Sequence, residues 1–190
     1  MGSRLSAENW IGEGLGILSR FGESALTLAR LCEATGKTRG SFYHHFDSME
    51  SYVDSLLERW RLDHTESVIS LANEEVAAQD RLARLEREVA GLDHRLDQII
   101  RRWADYQPRA KVSVEAVDEI RVGYIAECLE AYGFSPEHAR SCAELEYLMF
   151  LGAQQRAGVL GSERSHVLQT MFRQAMQLYR DHAAGGPARD

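Results

Sequence analysis

Apolar residues recur along this chain at intervals of three and four, the spacing of helices with one buried face. Trp10, Leu15, Leu18 and Phe21 predict a first helix over about residues 6–22. Gly12, Gly14 and Gly16 weaken it, each by roughly 1 kcal/mol against alanine, so packing must hold it. Read as a phosphate loop the three glycines fail, because no strand precedes them and the spacing is wrong. Small residues for close helix packing are the better reading. Thr27 can cap a second helix ending near Thr35, with Gly36 as its stop, and Thr38 a short third helix to about His45. Asp47 followed by Glu50 resembles a capping box opening a fourth helix. Its face is Val53, Leu56, Leu57 and Trp60, and it runs past residue 70. Further helices are predicted at about 80–90, 92–106, 109–132, 136–158 and 163–182, punctuated by Gly91, Pro108, Gly133 and Gly161. Ser135-Pro136-Glu137 is a start signal, with a cap, a proline in the first turn and an acid at the positive end. No stretch alternates as a strand would. The fold class is all-α, and the tail from 184 to 190 is expected to be disordered.

Composition narrows the classes. With 190 residues, 44% hydrophobic and 27% charged, the chain is neither collagen-like nor of low complexity. The longest apolar run, Tyr147 to Ala153, falls far short of the ~20 residues that cross a bilayer, so no membrane partner is expected. No apolar segment follows Arg4, and no secretory signal is expected. The Met1–Ser6 match to a myristoylation pattern is loose enough to arise by chance. Cys32, Cys128 and Cys142 are odd in number and lack a C-x-x-C, which fits neither a disulfide framework nor a zinc site. The expected location is cytoplasmic. A net charge of −7 argues against indiscriminate coating of nucleic acid. One short stretch runs the other way: Ser24 to Phe46 holds Arg30, Lys37 and Arg39 against Glu33 alone, with His44 and His45 beside them.

In that stretch Leu28, Leu31, Phe42 and Phe46 can form a small core between two short helices that Gly36 joins by a tight reversal. This is helix-turn-helix patterning, in which the second helix enters the DNA major groove. Its exposed side chains would be Thr38, Arg39, Ser41, Tyr43, His44 and His45. Arginine is the commonest reader of guanine, while hydroxyls and tyrosine hold phosphate. Gly40 removes a side chain where backbone must approach backbone.

From Trp10 to Trp60 the sequence resembles the DNA-binding domain of the TetR family of transcriptional regulators. The matching features are Gly22, Leu26-Thr27, the Leu31–Glu33–Gly36 spacing, the run Arg39-Gly40-Ser41-Phe42-Tyr43-His44-His45-Phe46, and Glu50. The resemblance implies phosphate contacts from Thr27 and Tyr43. It implies base or backbone contacts in the groove from Arg39, Ser41 and His44, with Lys37, Thr38 and His45 at the edge. His45, beside Phe46, could equally pack the small domain. One departure is Met49, where the family usually carries a phosphate-holding lysine. Each lost phosphate contact lowers affinity and reduces the salt slope by ~0.9.

The remaining length matches the family's helical effector-binding and dimerising domain. This divides the chain into a DNA-binding domain at 1–47, an effector and dimerisation domain at 48–183, and the tail. Aromatics gather where the family places its cavity: Trp60, Trp103, Tyr106, Tyr124, Tyr147 and Phe150. His64, His94, Gln154 and Gln155 could supply polar groups. For each of these residues plain core packing is the competing reading. Glu163-x-x-His166 has the spacing of a di-iron pair but lacks the second pair such a site needs. No cofactor, metal or catalytic grouping is called for, and the chain is not expected to be an enzyme. Cys128 and Cys142 read as small buried hydrophobes. Leu145 to Leu151 is apolar nearly all round and should be buried. The last helix presents Val167, Leu168, Met171, Phe172, Ala175, Met176, Leu178 and Tyr179, a stripe that wants a partner. In the family the last two helices pair across a two-fold dimer, implying an interface from these residues with Leu148 and Leu151, and a palindromic operator. The expected partners are thus an operator duplex, a small-molecule effector of unknown identity and a second copy. The alternative is a helical small-molecule sensor or partner-binding protein on the same scaffold that does not bind DNA.

Overall fold

Caps and glycines set the helix ends. The computed structural model describes residues 6–156, 158, 159 and 161–184, with side chains to 181; within that span all regular structure is helical. Helix α1 (Ala7–Phe21) opens on Ser6, which exchanges hydrogen bonds with Asn9, and stops at Gly22. There φ of +80° and ψ of 177° leave room only for glycine. A 3₁₀ turn (Glu23–Ala25) leads to α2 (Leu28–Thr35). This helix closes with Gly36 in the left-handed region, where the Lys37 and Gly36 N–H groups donate to Cys32 and Glu33 carbonyls. Helix α3 (Arg39–Tyr43) follows, then α4 (Met49–Arg61). The α4 cap sits one residue later than Asp47 suggests: Ser48 and Ser51 form the reciprocal box. The long fourth helix passes through a π turn (Leu62–Glu66) into α5 (Ser67–Ala72).

The later helices are α6 (Ala78–Ala90), α7 (Arg95–Ala104), α8 (Pro108–Ala131), α9 (Pro136–Gln154) and α10 (Glu163–Ala184). Helix α7 starts later than 92 because the Arg95 N–H donates to the Asp93 carboxylate in a local turn, at 3.0 Å. Ser135 holds the N-cap position of α9 in extended conformation, but its hydroxyl makes no capping bond. Of the tail, only Ala184, the last residue of α10, lies within the described residues, and the Met1–Ser6 pattern lies outside them apart from Ser6.

By packing, the chain divides into two compact units: residues 1–67 with 93–118, and residues 68–92 with 119–190. In the first, Trp10, Leu18, Leu31, Phe42, Tyr52, Leu56, Leu57, Trp60 and Ile100 are wholly or almost wholly buried in one cluster. The small core expected between α2 and α3 is part of it, with Leu31, Phe42 and Phe46 buried and Leu28 at the edge. Gly14 explains why α1 tolerates its glycines. A Cβ there would lie 1.9 Å from the Tyr52 hydroxyl oxygen, and that hydroxyl donates to the Trp10 carbonyl at 2.7 Å. By contrast Gly12 faces open space and Gly16 only the tip of Arg20. Asp97, almost fully buried, accepts from the Trp60 indole at 2.5 Å, with His64 Nδ1 at 3.7 Å.

The second unit packs Leu82 of α6, Tyr124, Cys128 and Leu129 of α8, Phe134, and Cys142, Ala143 and Tyr147 of α9. Gly133, at φ +103°, turns α8 toward α9, and the Phe134 N–H donates back to the Leu129 carbonyl. Arg140 grips Glu119 with two bonds of 2.8 and 2.7 Å. The expectation that Leu145–Leu151 is buried needs correction. Leu145 and Leu148 stand 47% and 62% exposed in the single chain, because only the Tyr147 side of this turn reaches the core. Val167, Leu168, Met171, Leu178 and Tyr179 of α10 are exposed too. Among the described residues no helix is long and apolar enough to cross a membrane.

Candidate nucleic-acid interface

Two capped helices and one glycine hold the α2–α3 pair rigid. The Arg30 N–H donates to Thr27 Oγ1 and the Ser41 N–H to Thr38 Oγ1, each at 3.3 Å. Phe42 anchors α3 from below. Its ring meets Trp10 at 5.4 Å, Tyr52 at 5.2 Å and Phe46 at 5.1 Å, mostly edge to face. With Phe42 fixed, its neighbours point outward by helical geometry.

Thr27, Thr38, Arg39, Gly40, Tyr43 and His44 are exposed, while Lys37, Ser41 and His45 are half-buried. The residues singled out from sequence therefore lie on or beside one short helix and its cap, apart from Thr27 at the head of α2. Tyr43 leans edge-on against Phe42 at 5.4 Å yet stays 51% exposed, leaving its hydroxyl at the surface. His45 lies between two rings, 5.1 Å from His44 and 6.3 Å from Phe46, which suits packing as well as contact. Gly40 has no neighbour within its own chain that demands a glycine, since a Cβ would meet only Thr38 Oγ1 at 3.8 Å. Beside the pair, the Arg30 guanidinium lies 3.9 Å over the exposed Phe21 ring. Met49 opens α4 half-buried against the first unit's core. The position that a phosphate-holding lysine would occupy is used here for apolar contact.

The ten residues proposed for an effector fall in two sets. Trp60, His64, His94, Trp103 and Tyr106 belong to the first unit, Tyr124, Tyr147, Phe150, Gln154 and Gln155 to the second. Trp60, Trp103, Tyr124, Tyr147 and Gln154 are buried, and Phe150 stacks on Tyr147 at 5.9 Å. The Tyr124 hydroxyl donates to Asn73 at 2.9 Å. Tyr106 is 64% exposed and donates to Glu23 at 2.5 Å, a bond that holds the Glu23 carboxyl below its usual range. Glu163 and His166 both lie exposed in the first turn of α10.

None of the ten lines a cavity of about 160 Å³ within the second unit. Its walls include Leu82, Leu129, Tyr132, Phe134, Phe172 and Met176, and Glu146 and Arg173 reach into it. Phe172 and Met176, expected at a dimer interface, thus turn inward, with Leu151 also half-buried against this core. Sequence reasoning passed over Glu146, though an acid inside the apolar run Leu145–Leu151 is a visible anomaly.

The chain's likeness to known proteins is uneven along its length. Residues 14–56 match the model of the bacterial regulatory proteins of the tetR family. No curated protein matches the chain. Among solved structures, the reduced form of NemR from E. coli is similar over 92% of this chain and 96% of that one, with a TM-score of 0.69 at 18% identity. A candidate transcriptional regulator of the TetR/AcrR family is similar over 92% and 96%, with a TM-score of 0.67 at 18% identity. A candidate regulator from Streptomyces coelicolor A3(2), SCO7518, is similar over 90% and 98%, with a TM-score of 0.66 at 17% identity. At such identities these structures speak to the fold alone. It is over residues 14–56, on helices α1 to α4, that the sequence of this chain is similar to the tetR family of bacterial regulatory proteins.

Proposed function

We propose that the chain is a sequence-specific DNA-binding transcriptional regulator that reads a palindromic operator as a homodimer and responds to a small molecule, most simply as a repressor. The observation that carries this reading is the outward face of α3 and its cap: Thr38, Arg39, Ser41, Tyr43 and His44 on a helix that Phe42 fixes from beneath. Arg39 is the base reader, and Thr27 and Tyr43 hold phosphates. Lys37 and His45 flank the contact, and Gly40 gives the duplex backbone close approach. Residues 1–47 carry this function, and 48–183 carry effector binding and assembly.

Assembly is supported by apolar surface on two neighbouring elements of the sequence. Leu145 and Leu148 of α9 and Val167, Leu168, Met171, Ala175 and Leu178 of α10 are all exposed, with Tyr179 beside them. On α10 these positions follow the three-and-four spacing of a single face. A second copy would cover it and present two recognition helices to successive major grooves. An effector then acts by binding one spacing of those helices better than the other.

Selection of random duplex DNA on the purified protein at moderate salt tests the reading. Enrichment of a palindrome establishes the dimeric regulator. No enrichment by folded, dimeric and ligand-free protein would replace it with the helical sensor that does not bind DNA.

A further inference from the structure

The cavity of the second unit has walls of one character and a floor of another. Leu82 comes from α6, Leu129 from α8, Tyr132 and Phe134 from the turn after it, and Phe172 and Met176 from α10. Into this apolar space α9 extends the carboxyl of Glu146. Across it stands Arg173, whose guanidinium is already paired with Glu86 of α6. Two carboxylates, Glu86 and Glu146, thus share one guanidinium, and it is Glu86 that holds the ion pair. Gln79 and Gln177 are neutral, and α8 adds no charged lining residue. Burial pushes the Cys128 and Cys142 thiols upward, so they stay neutral beside it.

A carboxylate facing apolar walls is costly unless something offsets its charge. Here burial pushes the Glu146 carboxyl up to about 7, with Glu86 adding to the rise and Arg173 opposing it. A bound cation would remove that cost, whereas a neutral guest would leave it and an anion would add to it. The Tyr132 and Phe134 rings already carry a cation, the Arg180 guanidinium at 4.7 and 5.9 Å, which leaves a bound head group to Glu146. Size sets the other limit, since a dry cavity of roughly 150 Å³ holds one benzene ring.

We infer that this cavity binds a small organic cation, an ammonium group carrying one aromatic ring or a short alkyl body, with its head on the Glu146 carboxylate and its apolar part between Leu82, Phe172 and Met176. The inference goes beyond the DNA-binding reading and does not depend on it, because the site and its test involve no DNA. Within the regulator proposed above, the same cation would be a candidate effector.

The test uses the full chain at pH 8 and three one-ring probes of similar size: benzyltrimethylammonium, benzyl alcohol and benzoate. Calorimetric titration should show saturable binding of the cation, with the alcohol and benzoate at least about tenfold weaker, a difference of about 1.4 kcal/mol. Glu146→Gln keeps the shape and removes the charge, and should weaken the cation about tenfold while leaving the alcohol unchanged. Gln79→Trp, at the exposed rim of the cavity, should weaken all three without touching the charge. The inference is overturned by no saturable binding of the cation, by equal binding of the three probes, by tighter binding of benzoate, or by cation binding indifferent to either substitution.

Discussion

Replacing Gly14 by alanine sets a helix preference against a steric limit, and the structure says which wins. In the interior of α1 the exchange should favour the helix by about 1 kcal/mol. The new methyl, however, would sit 1.9 Å from the Tyr52 hydroxyl, 3.0 Å from Tyr52 Cζ and 2.9 Å from Leu56 Cδ1. Leu56 can turn aside, but Tyr52 is fully buried and its hydroxyl donates to the Trp10 carbonyl at 2.7 Å. Moving the ring costs ~1–3 kcal/mol of overpacking, and losing the buried bond costs ~1–3 kcal/mol more. The net expectation is a loss of about 2–3 kcal/mol, or very roughly 4–12 °C in Tm for a chain of this length. Urea titrations followed by tryptophan fluorescence would measure it, with unchanged slope as the check on two-state behaviour. Gly12→Ala and Gly16→Ala serve as controls, because they meet open space and a flexible arginine tip; both should be neutral or stabilising. In a Tyr52→Phe background Gly14→Ala should lose most of its cost, a coupling of about 2 kcal/mol. If Gly14→Ala is stabilising, or costs the same with phenylalanine at 52, the clash is not what the glycine avoids.

Arg39→Ala should cost ~1–3 kcal/mol on the selected operator and relax preference at one base position; uniform weakening across sequences would make Arg39 a phosphate contact instead. Met49→Lys should tighten binding to all duplexes and steepen the log–log salt dependence by ~0.9, and an unchanged slope would remove Met49 from the DNA face. Met171→Asp should convert the proposed dimer to monomers in sedimentation while helicity is kept, whereas an intact dimer would move the interface off α10. Glu146 ties stability to pH. Its carboxyl titrates near 7 in the folded chain against 4.5 as its ordinary value, so the folded state holds the proton more tightly. Stability should therefore be fullest below pH 4.5 on this account and fall as pH rises through 7, by up to about 3 kcal/mol. Glu146→Gln should flatten that slope and stabilise the chain at pH 8, and a slope identical to the parent's would refute the burial argument.

What could be read from the sequence was local, and what could not be read depended on which helices meet. Thr27, Gly36, Thr38 and Gly133 announce helix ends because caps and left-handed turns act within a few residues. The α2–α3 pair was legible for the same reason, as its small core spans under twenty residues. Even local signals compete, and Ser48 takes the cap for which Asp47 has the right spacing. Gly14 reads as a small residue for packing, but nothing near it in the chain names Tyr52, which reaches it only where α4 crosses α1. Likewise Asp97 and Glu146 each interrupt an apolar face. One is held by Trp60 and the other opens to a cavity, a difference that only the fold decides. Periodicity also cannot distinguish a face buried within the chain from one left bare, which is why the stretch Leu145–Leu151 reads as buried although Leu145 and Leu148 stand exposed in the single chain.

In the proposed complex with DNA, the caps of α2 and α3 bear on the partner's chemistry as well as on helix stability. Aspartate caps a helix as well as threonine does, and its charge suits the positive end of the helix dipole. Thr27 and Thr38 use one oxygen lone pair to accept a backbone N–H and keep the hydroxyl proton available to donate. An aspartate at either place would hold the helix and turn that spare donor into a negative acceptor. A library sorted for folding alone would therefore accept aspartate at 27 and 38, whereas one sorted for grip on a polyanion would discard it. The gap between the two outcomes would measure how far these helix ends answer to the charge of their partner and not to the stability of the domain.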